Sequence, residues 1–248
     1  TEIQNSSGQL YLASIQRWDK RDLGNSRNFV YQTQAVKQSW DGLSTHADSA
    51  ESFDYEDFGN ITFHTQWGEV TANSDGSFFD INSDKRVTSM TYAHNGSNYL
   101  HSHLENQTLY DQAASVVSQK RLYYDNSASL GVITKGNQTK QEAWVSGPTY
   151  ASSTISYNQF GLPTLTTDSL GNLTTVGYDS NNLYPASVTN SLGHVASAQY
   201  DYSSGQKNQT TDGNGFVATI TFDGFDRPLQ ERQPDTSNPN LLVLVKSY

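Results

Sequence analysis

No cysteine occurs anywhere in the 248 residues. That single absence excludes disulfide staples, thiolate metal sites and thiol nucleophiles together. Basic residues are also scarce: 15 Lys and Arg stand against 25 Asp and Glu, for a formal net charge of -10. Such a chain has no basic stripe with which to neutralise phosphates or lipid head groups, so neither nucleic-acid nor membrane-surface binding is expected. Long apolar runs are missing as well. The longest, Leu241 to Val245, is strand-sized and far short of the ~20 residues a membrane-spanning helix needs. Strong helix formers are few, with one Met in the chain. Only Leu104 to Gln119 has the pattern of a short helix, and Asn106, Thr108, Val116 and Val117 weaken it.

What is present points to strands. Only 34% of residues are hydrophobic, Tyr is the commonest aromatic with 15 copies, and Ser, Thr, Asn, Gln and Gly are plentiful. That is the composition of wide, polar β-sheet. The length suits one large all-β domain or two smaller ones. The chain does not open on Met, and its last apolar segment ends without a turn; it is expected to be a piece of a larger protein.

The sequence also repeats. An aromatic followed by an acid or amide begins at Tyr157, Tyr178, Tyr200 and Phe222, separated by 21, 22 and 22 residues. Between these dipeptides lie TTDSLGN, VTNSLGH and TTDGNG, in which Asp168, Asn190 and Asp212 are again 22 apart and each is followed three residues later by Gly171, Gly193 or Gly215. An Asp or Asn at the start of a turn accepts a hydrogen bond from the backbone two residues on, and Gly supplies the positive φ that closes the reversal. Two turns per period, about eleven residues apart, read as β-turns between short antiparallel strands. The predicted turn residues are Asp168, Gly171, Asp179, Asn190, Gly193, Asp201, Gly205, Asp212, Gly215 and Asp223. Where Gly is missing, Asn182 and Asp226 replace it, residues that tolerate the left-handed region.

Alternation assigns faces. Thr174, Val176 and Tyr178 share one side of their strand, as do Ala196, Ala198 and Tyr200, and Ala218, Ile220 and Phe222. The opposite side carries Thr175, Gly177, Ser197, Gln199, Thr219 and Thr221, so these strands are expected to be wet on one face. Such a meander does not close a core by itself. Residues 151–235 form the regular repeats, and 236–248 the start of a further strand. Residues 1–150 are an irregular β region with insertions, within which FDYEDFGN (Phe53 to Asn60) and LYYDNSASLGV (from Leu122) are degenerate copies. Arg17 to Asn28 reads as a polar loop.

The stretches YNQFGLPTLTTDSLGN, GYDSNNLYPASVTNSLGH, QYDYSSGQ and TTDGNGFVATITFDGFDRP resemble the YD repeats of bacterial Rhs proteins, of the B and C subunits of insecticidal Tc toxins, and of animal teneurins. Upstream, FDYEDFGNIT and the passage from YAHNGSNYLHSHLENQTLYDQ to LYYDNSASLGVITKGNQTK resemble the start of the repeat region in SpvB-type Tc-toxin B subunits. The resemblance implies an all-β antiparallel meander forming part of a curled β-strip or hollow shell. It implies enclosure of a toxic polypeptide, with the remaining repeats and a toxin C-subunit or C-terminal cargo as partners, in a secreted or cell-surface bacterial protein. No DPxGL-type self-cleavage motif occurs in the chain.

Other motifs offer chemistry only weakly. His101, His103 and Glu105 would share one face of a strand, and His-x-His is a metal-ligand spacing, but two ligands from one strand are not a site. Thr71 to Asp80 resembles half a calcium loop, yet lacks the first carboxylate and the bidentate Glu, so an Asp-Gly turn explains it more cheaply. Asp54, Glu56 and Asp57 cluster as paired acids in a glycosidase would. Turn capping already accounts for such acids. Seven N-x-S/T sequons, at Asn5, Asn60, Asn95, Asn106, Asn137, Asn172 and Asn208, are expected by chance in a chain of this composition. Trp18, Trp40, Trp67 and Trp144 suit either sugar stacking or packing. The expectation is a non-enzymatic structural segment with no catalytic residue, cofactor or metal; the alternative is an extracellular adhesion or glycan-binding module.

Overall fold

The computed structural model describes residues 1–235, 237–238 and 241–248. The protein is all-β, with nineteen strands and no helix among the described residues beyond one 3-10 turn at Gly96–Asn98. It divides into two compact units, Thr1–Ala151 and Ser152–Tyr248.

The first unit is an antiparallel meander of long strands: β1 (Glu2–Gln4), β2 (Leu10–Asp22), β3 (Asn28–Ser39), β4 (Ala47–Tyr55), β5 (Ile61–Ala72), β6 (Phe78–Asp80), β7 (Arg86–Asn95), β8 (Leu100–Tyr110), β9 (Val116–Tyr124) and β10 (Gln138–Ser146). Strand β5 is shared: its end pairs with β6, while Phe63 to Gln66 pair with β7. The segment Leu104 to Gln119 is not helical but forms most of β8, a turn and the start of β9, in keeping with its β-branched and amide residues. The polar loop expected over Arg17 to Asn28 shrinks to residues 23–27, because β2 continues through Asp22. One of its charges is paired: Arg21 lies opposite Phe29 and donates to the carbonyls of Tyr55 and Glu56 and to the Asp57 carboxylate.

A single sheet cannot bury a face without a cover, and two excursions of the chain provide it. The turn between β5 and β6 folds back onto β2 and β3. Gly76 approaches Ile15 so closely that a Cβ would stand 2.7 Å from its methyl group. Gln34 donates to the Gly76 carbonyl at 2.6 Å and Arg17 to that of Asp75 at 3.3 Å. Beneath lies a core of Val36, Ala50, Val70 and Ala72, flanked by Ile15, Trp67 and Phe78. The second cover is the strap 126–137, which drops Ile133 onto Ala93, Leu122 and Tyr124.

The second unit has shorter, regular strands: β11 (Thr149–Tyr157), β12 (Pro163–Thr167), β13 (Leu173–Tyr178), β14 (Pro185–Thr189), β15 (Val195–Tyr200), β16 (Lys207–Thr211), β17 (Val217–Phe222), β18 (Pro228–Pro234) and β19 (Leu242–Ser247). Each pairs antiparallel with the next. Every buried residue among those described belongs to the first unit. In the second, Val176, Tyr178, Ala198 and Tyr200 are half-buried while Thr175, Ser197 and Gln199 are exposed. It is a sheet one layer thick. The strand expected within 236–248 is β19; residues 236, 239 and 240 lie outside the described residues.

Candidate functional site

The repeated feature of the second unit is its turn. At Asp168 the backbone N–H donates to the Asn172 carbonyl at 3.0 Å and the Gly171 N–H returns to the Asp168 carbonyl at 3.1 Å. Its Oδ1 accepts the N–H groups of Leu170 and Asn172, both at 2.8 Å. Gly171 has φ +86°, which completes a tight hairpin turn with a bulge at the glycine. The same bonds recur at Asn190 with Gly193, at Asp212 with Gly215, and at Asp223 with Asp226 in place of Gly. Asp226 sits at φ +59°. In Asp168 the Asn172 amide, and in Asp223 the Arg227 guanidinium, draw the carboxyl below its ordinary range, helped by the backbone donors.

Turns at Asp179 and Asp201 are one residue longer, closing onto Tyr184 and Gln206. Asn182 takes the positive φ in the first and Gly205 in the second. The extra residue in each is compensated by a shared lock. The Tyr202 hydroxyl donates to Asp179, and Tyr184 stacks on Tyr200 with ring centres 4.5 Å apart and lies 5.7 Å from Tyr202. The hydroxyl bond draws the Asp179 carboxyl down and pushes the Tyr202 phenol up.

Because strands alternate in direction, the Asp168, Asn190 and Asp212 turns lie along one edge of the meander, and the Asp179, Asp201 and Asp223 turns along the other. The two edges differ. On the second, the pairs Tyr157–Pro163, Tyr178–Pro185, Tyr200–Lys207 and Phe222–Pro228 each mark a register shift, whereas the ladders leading to the first run without one. Pro tolerates the first position of a strand beside a bulge because no ladder N–H is needed there, and a bulge adds local twist and bend. The Tyr178 hydroxyl donates to the Pro163 carbonyl at 3.0 Å and that of Tyr200 to Pro185 at 3.3 Å. The repeat tyrosine thus ties its strand to the bulge one hairpin back. These ties and the Pro positions were not singled out from the sequence, although Pro163 and Pro185 are 22 residues apart.

Of the other candidate residues, Glu56 and His101 come together around His94 and Phe58, and the rest fall in separate local contacts. A register shift between Ala93 and Asn95 falls within the ladder that pairs with His101 and His103. His101 lies flat on Phe58 and near His94, His103 meets Tyr124 edge-on, and Glu105 accepts from Thr91 at 3.0 Å. Among the described residues no three His, Asp or Glu are grouped to hold a metal. Thr71 to Asp80 contains a turn in which the Ser77 hydroxyl and N–H cap Asp75 and lower its carboxyl. Of the paired acids, Glu56 meets His94 at 3.0 Å and Asp57 meets Arg21 at 2.8 Å. Trp67 donates to Ser52, Trp144 to the Gly147 carbonyl, and Trp40 packs on His46; Trp18 is exposed.

One carboxylate outside the regular repeats is unusually engaged. Asp125 begins the strap at φ +54° and gathers its far end: Oδ2 accepts the N–H groups of Thr134, Lys135 and Gly136 at 2.7, 2.8 and 3.1 Å, and Oδ1 that of Asn137 at 3.0 Å. Partial burial alone would raise its pKa, but these four donors outweigh it and hold the group at about 2.

No protein-family profile and no curated protein matches the sequence. Solved structures do match the fold. The chain is similar to part of a chain in the crystal structure of TcdB2-TccC3, at TM-score 0.74 and 12% identity over 99% of its length, and it spans 17% of that chain. It is likewise similar to part of the Photorhabdus luminescens Tc holotoxin pore carrying the TccC3-D651A mutation, at TM-score 0.73, 12% identity, 99% of this chain and 16% of that one. The fold shared by this protein is therefore that of a segment, under a fifth in length, of toxin-complex chains.

Proposed function

We propose that the chain is a structural segment of a YD-repeat shell that encloses a toxin polypeptide in a secreted or surface-delivered bacterial toxin. It serves as wall rather than as catalyst, with further repeats and a toxin C-subunit or C-terminal cargo as its partners. The observation that carries this is the single-layer second unit: a regular meander with a register shift in every second ladder, in which no described residue is fully buried. A free-standing domain of this kind leaves too much apolar surface in water. Leu170, Leu192 and Phe225, at the tips of the turns, are 86, 77 and 82% exposed. Similarity in fold to chains of toxin complexes supports the same conclusion.

The test is protease protection of the parent protein purified with its cargo. The enclosed segment should resist digestion while the repeats are folded and become cleavable once they are denatured. Digestion of that segment at the same rate in both conditions would overturn the proposal.

A further inference from the structure

A cavity of about 380 Å³ in the first unit, within the range of small-molecule sites, gathers side chains that the packing of the sheet leaves unused. It arises because β5 is shared. Phe63 to Gln66 pair with β7, the strand then leaves to meet β6, and the return through residues 81–85 brings Lys85 into the lining. Register sets the floor: Phe63 lies opposite Ser89, and Val87 opposite Tyr110, so the four share one face of the sheet. Phe63 is 45% exposed there. Three donors in the lining have no hydrogen-bond partner in the protein: the hydroxyls of Ser89 and Tyr110 and the Lys85 ammonium. Lys85 Nζ stands 5.1 Å over the Trp67 ring, which attracts a cation without neutralising it.

The turn after β8 closes one end of the cavity and departs from the others in the chain. Its bonds are those of the repeat turns: Asp111 N–H to the Ser115 carbonyl and Ala114 N–H to the Asp111 carbonyl, both at 3.0 Å, with Asp111 Oδ1 accepting from Ala113 and Ser115 at 2.9 and 2.8 Å. The left-handed position, however, is held by alanine, Ala114 at φ +59°, where Gly171, Gly193 and Gly215 stand in the repeats. Alanine is disfavoured there, and backbone strain of this kind gathers at ligand sites. Ala114 lines the cavity, as does Asp111, whose Oδ1 is engaged in the turn.

We propose that this cavity binds a small aromatic carboxylate. The ring lies against Phe63 and Val87, where aromatic contact and burial favour it. Its carboxylate pairs with Lys85, and the Tyr110 and Ser89 hydroxyls supply further donors. One cation beside an apolar floor suits a monoanion with a flat body rather than a phosphate ester. The site lies wholly within the first unit and does not depend on the shell reading.

Titration of the whole chain with phenylacetate, followed by amide-resolved NMR, tests this. Shifts centred on Phe63, on Lys85 to Ser89 and on Tyr110 to Ala114 should saturate with a Kd below about 1 mM. Phenylacetamide, which has the same shape without the charge, should bind at least about tenfold more weakly, and phenylacetate should lose a similar factor on Lys85→Met, which keeps the stem and removes the ammonium. Shifts that fail to saturate by about 10 mM, shifts centred elsewhere, or equal affinity for the acid and the amide overturn the proposal. So does unchanged affinity in Lys85→Met. Should that variant fail to fold, the comparison of acid and amide on the unaltered chain decides.

Discussion

Replacing Asp125 by Asn isolates the carboxylate that holds the strap. Asparagine keeps one acceptor oxygen but puts an amide in place of the other, so donors face the N–H groups of Thr134, Lys135 and Gly136 that now point at Oδ2. The folded-state pKa of Asp125 is about 2 against an ordinary 3.8. A drop of that size corresponds to roughly 2 kcal/mol of stability at neutral pH, at about 1.4 kcal/mol per unit and with some allowance for solvent screening at a partly exposed site. Because the folded pKa is depressed, this contribution is complete above the unfolded value of 3.8 and is lost as pH falls toward 2. Urea unfolding of both proteins at neutral pH should show Asp125→Asn less stable by about 2 kcal/mol, and the gap should narrow in strong acid as the natural carboxylate gains its proton. Equal stability at neutral pH, or a gap that does not change down to about pH 2, would refute the account of the clasp.

Three further outcomes follow from the geometry. Gly171→Ala, where a Cβ meets open space at φ +86°, should cost about 1–2 kcal/mol of backbone strain, whereas Gly76→Ala should cost roughly 2–4 because its Cβ also strikes Ile15; urea denaturation compares the two. Tyr178→Phe removes a largely exposed hydroxyl bond to Pro163 and should cost about 0.5–1 kcal/mol, while Phe222→Tyr, at the repeat position without a hydroxyl, should gain a few tenths, about 0.3, if it reaches the Lys207 carbonyl; thermal melts resolve the opposite signs. Val36→Ala, wholly buried, should cost about 2 kcal/mol, but Val188→Ala, 42% exposed, under about 1; equal losses would contradict the covered and uncovered sheets described here.

The repeat turns were readable because their cause is local. An Asx side chain reaches only two to four residues along the chain, and the positive φ at Gly171, Gly193 and Gly215 is a property of one residue. The same holds for strand character: alternating Thr, Val and Tyr set both the period and the faces. The tyrosine ties were not readable in the same way, since Tyr178 and Pro163 are separated by a whole hairpin and meet only once a bulge offsets the ladder. His101, His103 and Glu105 show the reverse failure. Strict alternation predicts one shared face; His103 and Glu105 do both lie under the strap, but His101, at the register shift between Ala93 and Asn95, stacks on Phe58 instead.

Composition and spacing thus determined by themselves that this is an all-β protein of short reversals, with acids at turn starts and glycine, Asn182 or Asp226 at the left-handed positions. Only the tertiary structure decided which part of the sheet is covered. Whether the turn at Asn73 to Ser77 or the strap 126–137 folds back over its own strands depends on contacts between residues tens of positions apart, Gly76 with Ile15 and Ile133 with Ala93. Local preference carries no information about such contacts, because they exist only after the strands have paired.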